Sequence, residues 1–268
     1  MITLGAVSVT PRPILRYAGT LMLAKNNSKE SIVFIPGALC TEEVFADQVA
    51  GISPPFKALF IDTERAETIT EMAETLLAQA PSRFALVGIS MGGYVALEVL
   101  RMAPDRVWGA VLISTTPTAE MPSQFEERQR WIERLNSGGY EDLVDEIVDA
   151  CVSNESRSND ARRSFRAMVK THPVDTISRQ MTASATRPDF RESLKDIRCP
   201  VLSIGGSDDS EFFKTGLQEI SDGVVGSEIL VLQNCGHLPT IESASSTTKA
   251  IEQFLLKAAK LEPQVPEI

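Results

Sequence analysis

The chain has few of the residues that build metal sites, disulfides or membrane spans. Its 268 residues include four cysteines and two histidines, and no two cysteines form a Cys-x-x-Cys pair. This spacing argues against a structural zinc site, and reduced thiols in the cytoplasm are the simplest expectation. No apolar run approaches the roughly 20 residues that span a bilayer, and we expect neither a membrane partner nor a secretory signal.

Positive charge is also scarce. The formal net charge is −10, with 36 acidic residues against 26 basic ones. An acidic surface repels phosphate backbones, which argues against nucleic acid as a partner. The 43% hydrophobic content and the length allow one large α/β domain, or one domain that carries an insertion.

Short apolar runs alternate with helical patterns along most of the chain. Strands are predicted at 2–9, 14–23, 32–35, 58–61, 84–87, 107–113, 200–205 and 229–232. The first two are expected to pair as an antiparallel hairpin. Strands that alternate with helices favour right-handed crossovers, so we predict a mostly parallel eight-stranded sheet flanked by helices.

The alternation is interrupted after residue 117. Residues 120–191 carry helical patterns and no clear strand. We therefore predict a core made of 1–117 and 192–268, with 118–191 inserted before the late strands as a helical lid. Below, residues 118–191 are called the insertion.

The most informative motif is Gly88-Ile89-Ser90-Met91-Gly92. An apolar run precedes it and a helical pattern follows it, as in a sharp strand-to-helix turn that exposes a serine hydroxyl. Only small residues fit two positions before and two after that serine, because the backbone on either side passes close to it. The first helical turn adds unpaired N–H groups and the positive end of the helix dipole.

Two later loops supply partners for Ser90. Asp208 and Asp209 follow one strand, and His237 follows the last strand. Loops after parallel strands open on the same edge of a sheet, so the three side-chain types can meet there. A histidine can take the serine proton and return it to a leaving group, while a carboxylate fixes the tautomer of its ring. His172, before a proline in the insertion, is expected at a surface or boundary.

These motifs resemble the α/β-hydrolase superfamily, in the branch with a helical lid between two late strands. That family often has its acid in a strand-Gly-x-x-Asp pattern, which Gly206 and Asp209 match, so the resemblance favours Asp209 over Asp208. The Gly236-His237 pair resembles the family's Gly-His near the chain end. The resemblance thus implies Ser90, Asp209 and His237 as the catalytic residues.

The resemblance also implies an oxyanion hole. It places one backbone N–H donor on Met91, just after the nucleophile, and the other on Ala38. Here the sequence departs from the family, because Pro36-Gly37 stands where the family has His-Gly. This departure leaves Leu39 as an alternative second donor.

The expected function is a cofactor-independent serine hydrolase without a metal, acting on a small carboxylic ester, lactone or thioester through an acyl-enzyme at Ser90. Alternatives on the same fold are a non-hydrolytic small-molecule receptor or partner protein, and a cofactor-free haloperoxidase or C–C bond hydrolase.

The sequence gives fewer indications for the substrate pocket than for the catalytic residues. Leu39 and Trp131 are candidates to line it. Acidic residues dominate 120–155 and basic residues dominate 156–191, so arginines of the second half could hold a substrate carboxylate. The alternatives are a solvated face and pairing between the two halves of the insertion.

Overall fold

The structure, a computed structural model, describes residues 31–53, 55–153 and 158–260. Its strands are β1 (Ser31–Ile35), β2 (Lys57–Phe60), β3 (Phe84–Ile89), β4 (Val107–Ile113), β5 (Val201–Gly206) and β6 (Glu228–Leu232). They form one parallel sheet in the order β2-β1-β3-β4-β5-β6. The last six predicted strands are confirmed, and those predicted over 2–9 and 14–23 lie outside the described residues.

The centre of the sheet follows from its apolar sequence. All six residues of β3 are buried, as expected for a strand covered on both faces. Its register pairs Gly88 with Ile35 of β1 and with Leu112 of β4. The carboxyl ends of β1, β3 and β4 therefore finish together, and the loops that follow them share one edge of the sheet.

Helices connect the strands. They are α1 (Ala46–Gly51), α2 (Ile69–Gln79), α3 (Met91–Met102), α4 (Pro122–Asn136), α5 (Tyr140–Cys151), α6 (Ser158–Thr171), α7 (Val174–Ala185), α8 (Glu211–Gly223), α9 (Pro239–Glu242) and α10 (Ala244–Ala258). Short 3-10 turns span Glu42–Phe45, Pro104–Arg106 and Arg191–Asp196. Helix α2 begins directly after Thr68, whose side chain accepts the Glu71 N–H as an N-cap.

Two layers of apolar side chains cover the two faces of the sheet. Ile32 and Phe34 of β1 belong to the cluster that also contains residues of α10, and Val49 of α1 packs against this cluster. Val33 and Ile35, which alternate with them, belong to a second cluster with α2 and α3. The period-two alternation of a strand thus places helices on both sides of the sheet.

Four helices, α4–α7, follow β4, and the described part of the insertion contains no strand. Their apolar side chains, including Leu143, Phe165 and Met181, join the same cluster as Ile32 and Phe34. A buried ion pair between Glu120 and Arg187 joins the beginning and the end of the insertion. None of the described helices combines the length and apolar character needed to cross a bilayer.

Candidate active site

Ser90 lies on a sharp turn between β3 and α3. Its backbone has φ 54° and ψ −117°, a region that non-glycine residues rarely adopt. The Ser90 N–H donates to the Ile113 carbonyl at 2.9 Å, and the Ser90 carbonyl accepts from the Gly93 N–H at 2.9 Å and the Thr115 hydroxyl at 3.0 Å. These bonds from β4, α3 and the following loop hold the strained residue in place.

The two glycines of the motif are required by close backbone contacts. A methyl group on Gly88 would lie 2.3 Å from the Gly92 carbonyl oxygen. A methyl group on Gly92 would lie 2.0 Å from the Ile35 carbonyl oxygen of β1. The prediction that only small residues fit on either side of Ser90 is therefore confirmed by the packing.

Ser90, His237 and Asp209 form one hydrogen-bonded chain. The Ser90 Oγ lies 2.9 Å from His237 Nε2, and His237 Nδ1 lies 2.9 Å from Asp209 Oδ2 and 3.0 Å from Oδ1. His237 and Asp209 are both buried, each with 7% of its surface exposed. The ring of Phe213 packs on the imidazole at a centroid distance of 4.2 Å. Such a chain can move a proton from the hydroxyl to the ring while the carboxyl group orients the ring.

Asp208 and His172, the other acid and the other histidine, are not part of this hydrogen-bonded chain. Asp208 is exposed and accepts hydrogen bonds from the hydroxyls of Ser153 at 2.7 Å and Ser207 at 2.8 Å, and these bonds lower the pKa of its carboxyl. His172 lies at the boundary between α6 and α7, but it is buried, with 7% of its surface exposed, so a surface position is wrong.

The loop after β1 passes beside Ser90. A methyl group on Gly37 would lie 3.3 Å from the Ser90 Cβ, so Ala38 follows a residue in direct contact with the serine. The Leu39 N–H donates to Gln180 Oε1 at 2.8 Å and is therefore already bonded. Within the described ranges, no acceptor is found for the N–H groups of Ala38 and Met91. Of the two alternatives for the second donor, the hydrogen bonds favour Ala38 over Leu39.

Sequence reasoning missed Glu242, which holds the His237 loop in place. Its carboxyl group is 8% exposed and accepts three backbone N–H groups at 2.9 Å, those of Gly236, Leu238 and Ser153. Two of these donors flank His237 directly. The one signal in the sequence is an acidic residue five positions after the histidine.

The end of α5 is bonded to the same loop. The His237 N–H donates to the Cys151 carbonyl at 2.8 Å, and Ser153 donates through its N–H to Glu242 and through its hydroxyl to Asp208. The insertion therefore contributes backbone groups that position the histidine. No sequence motif indicates these contacts, because they depend on where α5 packs.

A cavity of about 820 Å³ opens beside the loop of residues 36–41, which carries the candidate oxyanion-hole donor Ala38 and is named the oxyanion loop for that reason. Its described lining comprises Pro36, Gly37, Cys40, Thr41, Glu42, Phe60, Ile61, Asp62, Thr63, Glu64, Arg65, Ala66, Thr75, Gln79, Met91 and Gln180. Neither predicted pocket residue lines it. The Leu39 side chain is buried in the core, and Trp131 packs half-buried against the same core.

The described basic residues of the insertion's second half, 156–191, are bonded to other groups of the protein. Arg162 pairs with Asp149, and Arg166 and Lys170 both pair with Glu141, which joins the two halves of the insertion. The buried Arg187 pairs with Glu120 and lies 4.4 Å from the centroid of the Tyr94 ring. Arg163 and Arg191 pair with nearby aspartates, and Arg179 bonds to Thr176 and to the Glu64 carbonyl. The observed contacts favour pairing between the halves. Arg157 lies outside the described residues.

The thiols near the site are poor nucleophiles. Burial raises the pKa of Cys40 to about 12 and that of Cys235 to about 12, so both stay protonated at neutral pH. Among the described residues, no group of three or more His, Cys, Asp or Glu side chains could hold a metal ion. The Ser90 hydroxyl is therefore the candidate nucleophile at this edge of the sheet.

A family profile described as "Alpha/beta hydrolase family" matches residues 32–248. The chain belongs to this family. The match runs from β1 into α10, and it includes all three members of the hydrogen-bonded chain.

Several relatives and structural neighbours are hydrolases by name. A pimeloyl-[acyl-carrier protein] methyl ester esterase of Yersinia enterocolitica is 26% identical over 197 residues, 70% of this chain and 76% of the relative. A solved thermophilic esterase from Thermogutta terrifontis superposes with a TM-score of 0.78 and 22% identity, over 86% of this chain and 91% of that one. The enol-lactonase from Burkholderia xenovorans LB400 superposes with a TM-score of 0.74 and 20% identity, over 86% and 92%. The chain is an enzyme of the alpha/beta hydrolase type.

Proposed function

We propose that the protein is a serine hydrolase that cleaves a small carboxylic ester, lactone or thioester, with Ser90 as nucleophile, His237 as general base and acid, and Asp209 as the group that orients His237. The observation that carries the proposal is the continuous chain from Ser90 Oγ to His237 Nε2 at 2.9 Å and from His237 Nδ1 to Asp209 at 2.9 Å. A buried imidazole bonded on both sides is held in the tautomer that accepts the serine proton.

The reaction runs in two halves. Ser90 Oγ attacks the carbonyl carbon while His237 Nε2 takes its proton, and the carbonyl electron pair moves onto oxygen, where the N–H groups of Ala38 and Met91 stabilise it. The intermediate then collapses, and the leaving alcohol or thiol takes the proton from His237. Water attacks the acyl-enzyme with His237 again as base, and the carboxylic acid leaves as Ser90 recovers its proton.

The surroundings of Ser90 and the relatives support this substrate class. The relatives act on esters or lactones by their names, and the cavity beside Gly37 and Met91 can hold a small molecule. We propose the insertion, 118–191, as a helical lid over this edge of the sheet, since its helices pack on the core and bond to the His237 loop. The free cysteines fit our proposal of a cytoplasmic enzyme.

The test is hydrolysis of p-nitrophenyl esters and a simple lactone by the wild-type protein and by Ser90→Ala. We expect kcat to fall on the order of 10⁶-fold in the variant, because a nucleophile acting as a unit with its base cannot be bypassed. A folded Ser90→Ala protein that keeps most activity would contradict the assignment. A folded wild-type protein with no esterase or lactonase activity would favour a receptor on the same fold.

A further inference from the structure

Gln180 links the insertion to the oxyanion loop. It lies on α7, is 5% exposed, and its Oε1 accepts the Leu39 N–H at 2.8 Å. A backbone N–H can only donate, so the atom that faces Leu39 has to be the carboxamide oxygen. This fixes the orientation of the carboxamide and turns its nitrogen, Nε2, the other way.

The nitrogen is left without an acceptor among the described residues. No carbonyl or side chain in those ranges accepts from Nε2, yet the atom is not sealed in the core, since Gln180 lines the 820 Å³ cavity. That cavity also borders Gly37 and Met91, which adjoin Ser90 in space and in sequence. Gln180 thus presents two N–H donors to the space beside the proposed oxyanion hole.

We propose that Gln180 is a substrate-contacting residue, whose carboxamide N–H donates to an acceptor oxygen (an ether or carbonyl) in the acyl or alcohol part of the substrate. This inference rests on the proposed hydrolase function. A donor held in place by Leu39 costs little to order on binding, and it stays unpaired when the substrate offers only hydrocarbon. The enzyme should therefore prefer substrates with such an oxygen over hydrocarbon isosteres.

Two matched ester pairs test the preference, each replacing one CH₂ by oxygen. The acyl pair is p-nitrophenyl butyrate and p-nitrophenyl methoxyacetate, and the alcohol pair is butyl acetate and 2-methoxyethyl acetate. The readout is the ratio of kcat/KM, ether over hydrocarbon, within each pair. This ratio cancels changes that affect both members equally, such as a displaced oxyanion loop or an added charge.

Two variants separate the two ends of the carboxamide. Gln180→Glu keeps an oxygen for the Leu39 N–H and removes the N–H donors, whereas Gln180→Met removes both. Gln79→Glu, at an exposed lining position of the same cavity, is the matched control. We expect the ratio of at least one pair to fall about 3- to 10-fold in both Gln180 variants, the effect of one neutral hydrogen bond, and to stay unchanged in Gln79→Glu.

Unchanged ratios in both pairs, with a loss of kcat only in Gln180→Met, would overturn the inference and leave Gln180 as a support for the loop. If Gln180→Met does not fold, Gln180→Glu decides alone. Wild-type activity on any of these esters shows that such a result counts against this inference and not against the proposed function.

Discussion

At the scale of single residues, the placement of the His237 ring depends on a carboxyl group that does not touch it. Glu242 bonds the N–H groups of Gly236 and Leu238 on either side of the histidine, and that of Ser153 from the insertion. The two buried carboxyl oxygens accept these three N–H groups and so hold the loop on both sides of His237. We interpret Glu242 as a positioning residue for the proposed catalytic chain.

Replacing the Glu242 carboxyl by a carboxamide would set an NH₂ group, which cannot accept, against one or more of these N–H groups. We therefore expect Glu242→Gln to lose about 1–3 kcal/mol of unfolding free energy, and to lower kcat about 10- to 100-fold as the ring shifts away from Ser90. Urea denaturation and steady-state kinetics with pH profiles measure the two effects. A displaced ring should also alter the pH dependence of kcat.

The control for this change is Glu252→Gln on α10, where an exposed carboxyl accepts a single N–H from Ser53 at 3.2 Å. It should keep wild-type kinetics. If Glu242→Gln loses stability but keeps kcat and its pH profile, Glu242 stabilises the fold without positioning His237.

The catalytic candidates were predictable from the sequence, whereas the residues that hold their loops in place were not. Ser90, Asp209 and His237 each follow a strand that ends on one sheet edge, so the order of elements brings them together. Gln180 and Glu242 depend on how the insertion and the last helices pack, and no local pattern encodes that packing. The preference for Ala38 as second donor also needed the Leu39–Gln180 bond.

At the scale of elements, the critical contact is the one between the start of α3 and the end of β1. Gly92 is the point of closest approach, since a methyl group there would lie 2.0 Å from the Ile35 carbonyl oxygen and 2.7 Å from that of Pro36. This contact sets the distance between Ser90 and the loop that carries Ala38.

Gly92→Ala should separate the two elements. We expect a loss of about 1–3 kcal/mol or more in unfolding free energy and a strong loss of esterase activity, because backbone oxygens cannot give way as side chains do. Gly109→Ala on β4 is the control, since its methyl group would meet the Ala258 Cβ at no closer than 3.2 Å. A Gly92→Ala protein with the wild-type urea midpoint and activity would contradict the packing argument.

Element boundaries show where sequence patterns fall short. The residue patterns over 42–50 and over 240–259 are each typical of a single helix, whereas the structure breaks each segment in two. The second break is at Ser243, whose φ of −131° and ψ of 43° are not helical. Neither glycine nor proline marks this position. The break accompanies the turn that brings Glu242 under the His237 loop, a tertiary requirement that periodicity does not reveal.

At the scale of the whole molecule, charge bears on which substrates enter. The net charge is −10, and the cavity carries Glu42, Asp62 and Glu64 with Arg65 as the one base among its described lining residues. The described bases of the insertion's second half are already bonded to other protein groups. The cavity should therefore repel an anionic substrate, and added salt should screen this repulsion.

We expect the KM of an anionic ester, p-nitrophenyl hemiglutarate, to fall several-fold between about 10 mM and 300 mM salt, over which the Debye length shrinks from about 30 Å to below 10 Å. The KM of neutral p-nitrophenyl pentanoate is the reference and should change little. A KM for the anionic ester that instead rises with salt would indicate a cationic binding site, as the arginine-rich half of the insertion first suggested.

The overall architecture was predictable because alternation of strands and helices leaves few topologies. The six described strands lie where they were predicted along the chain and form a parallel sheet, and the helical insertion begins after β4 as its pattern indicated. Two of the eight predicted strands fall outside the described residues. The pocket was not predictable, because it lies between segments that meet only in the folded chain.

Intact-mass analysis after reaction with a fluorophosphonate, followed by peptide mapping, tests directly whether Ser90 is the nucleophile. We expect one adduct per chain, on Ser90, formed fast in the wild-type protein, slowly in His237→Ala and not at all in Ser90→Ala. A folded wild-type protein that stays unlabelled, or one labelled at a residue other than Ser90, would contradict it.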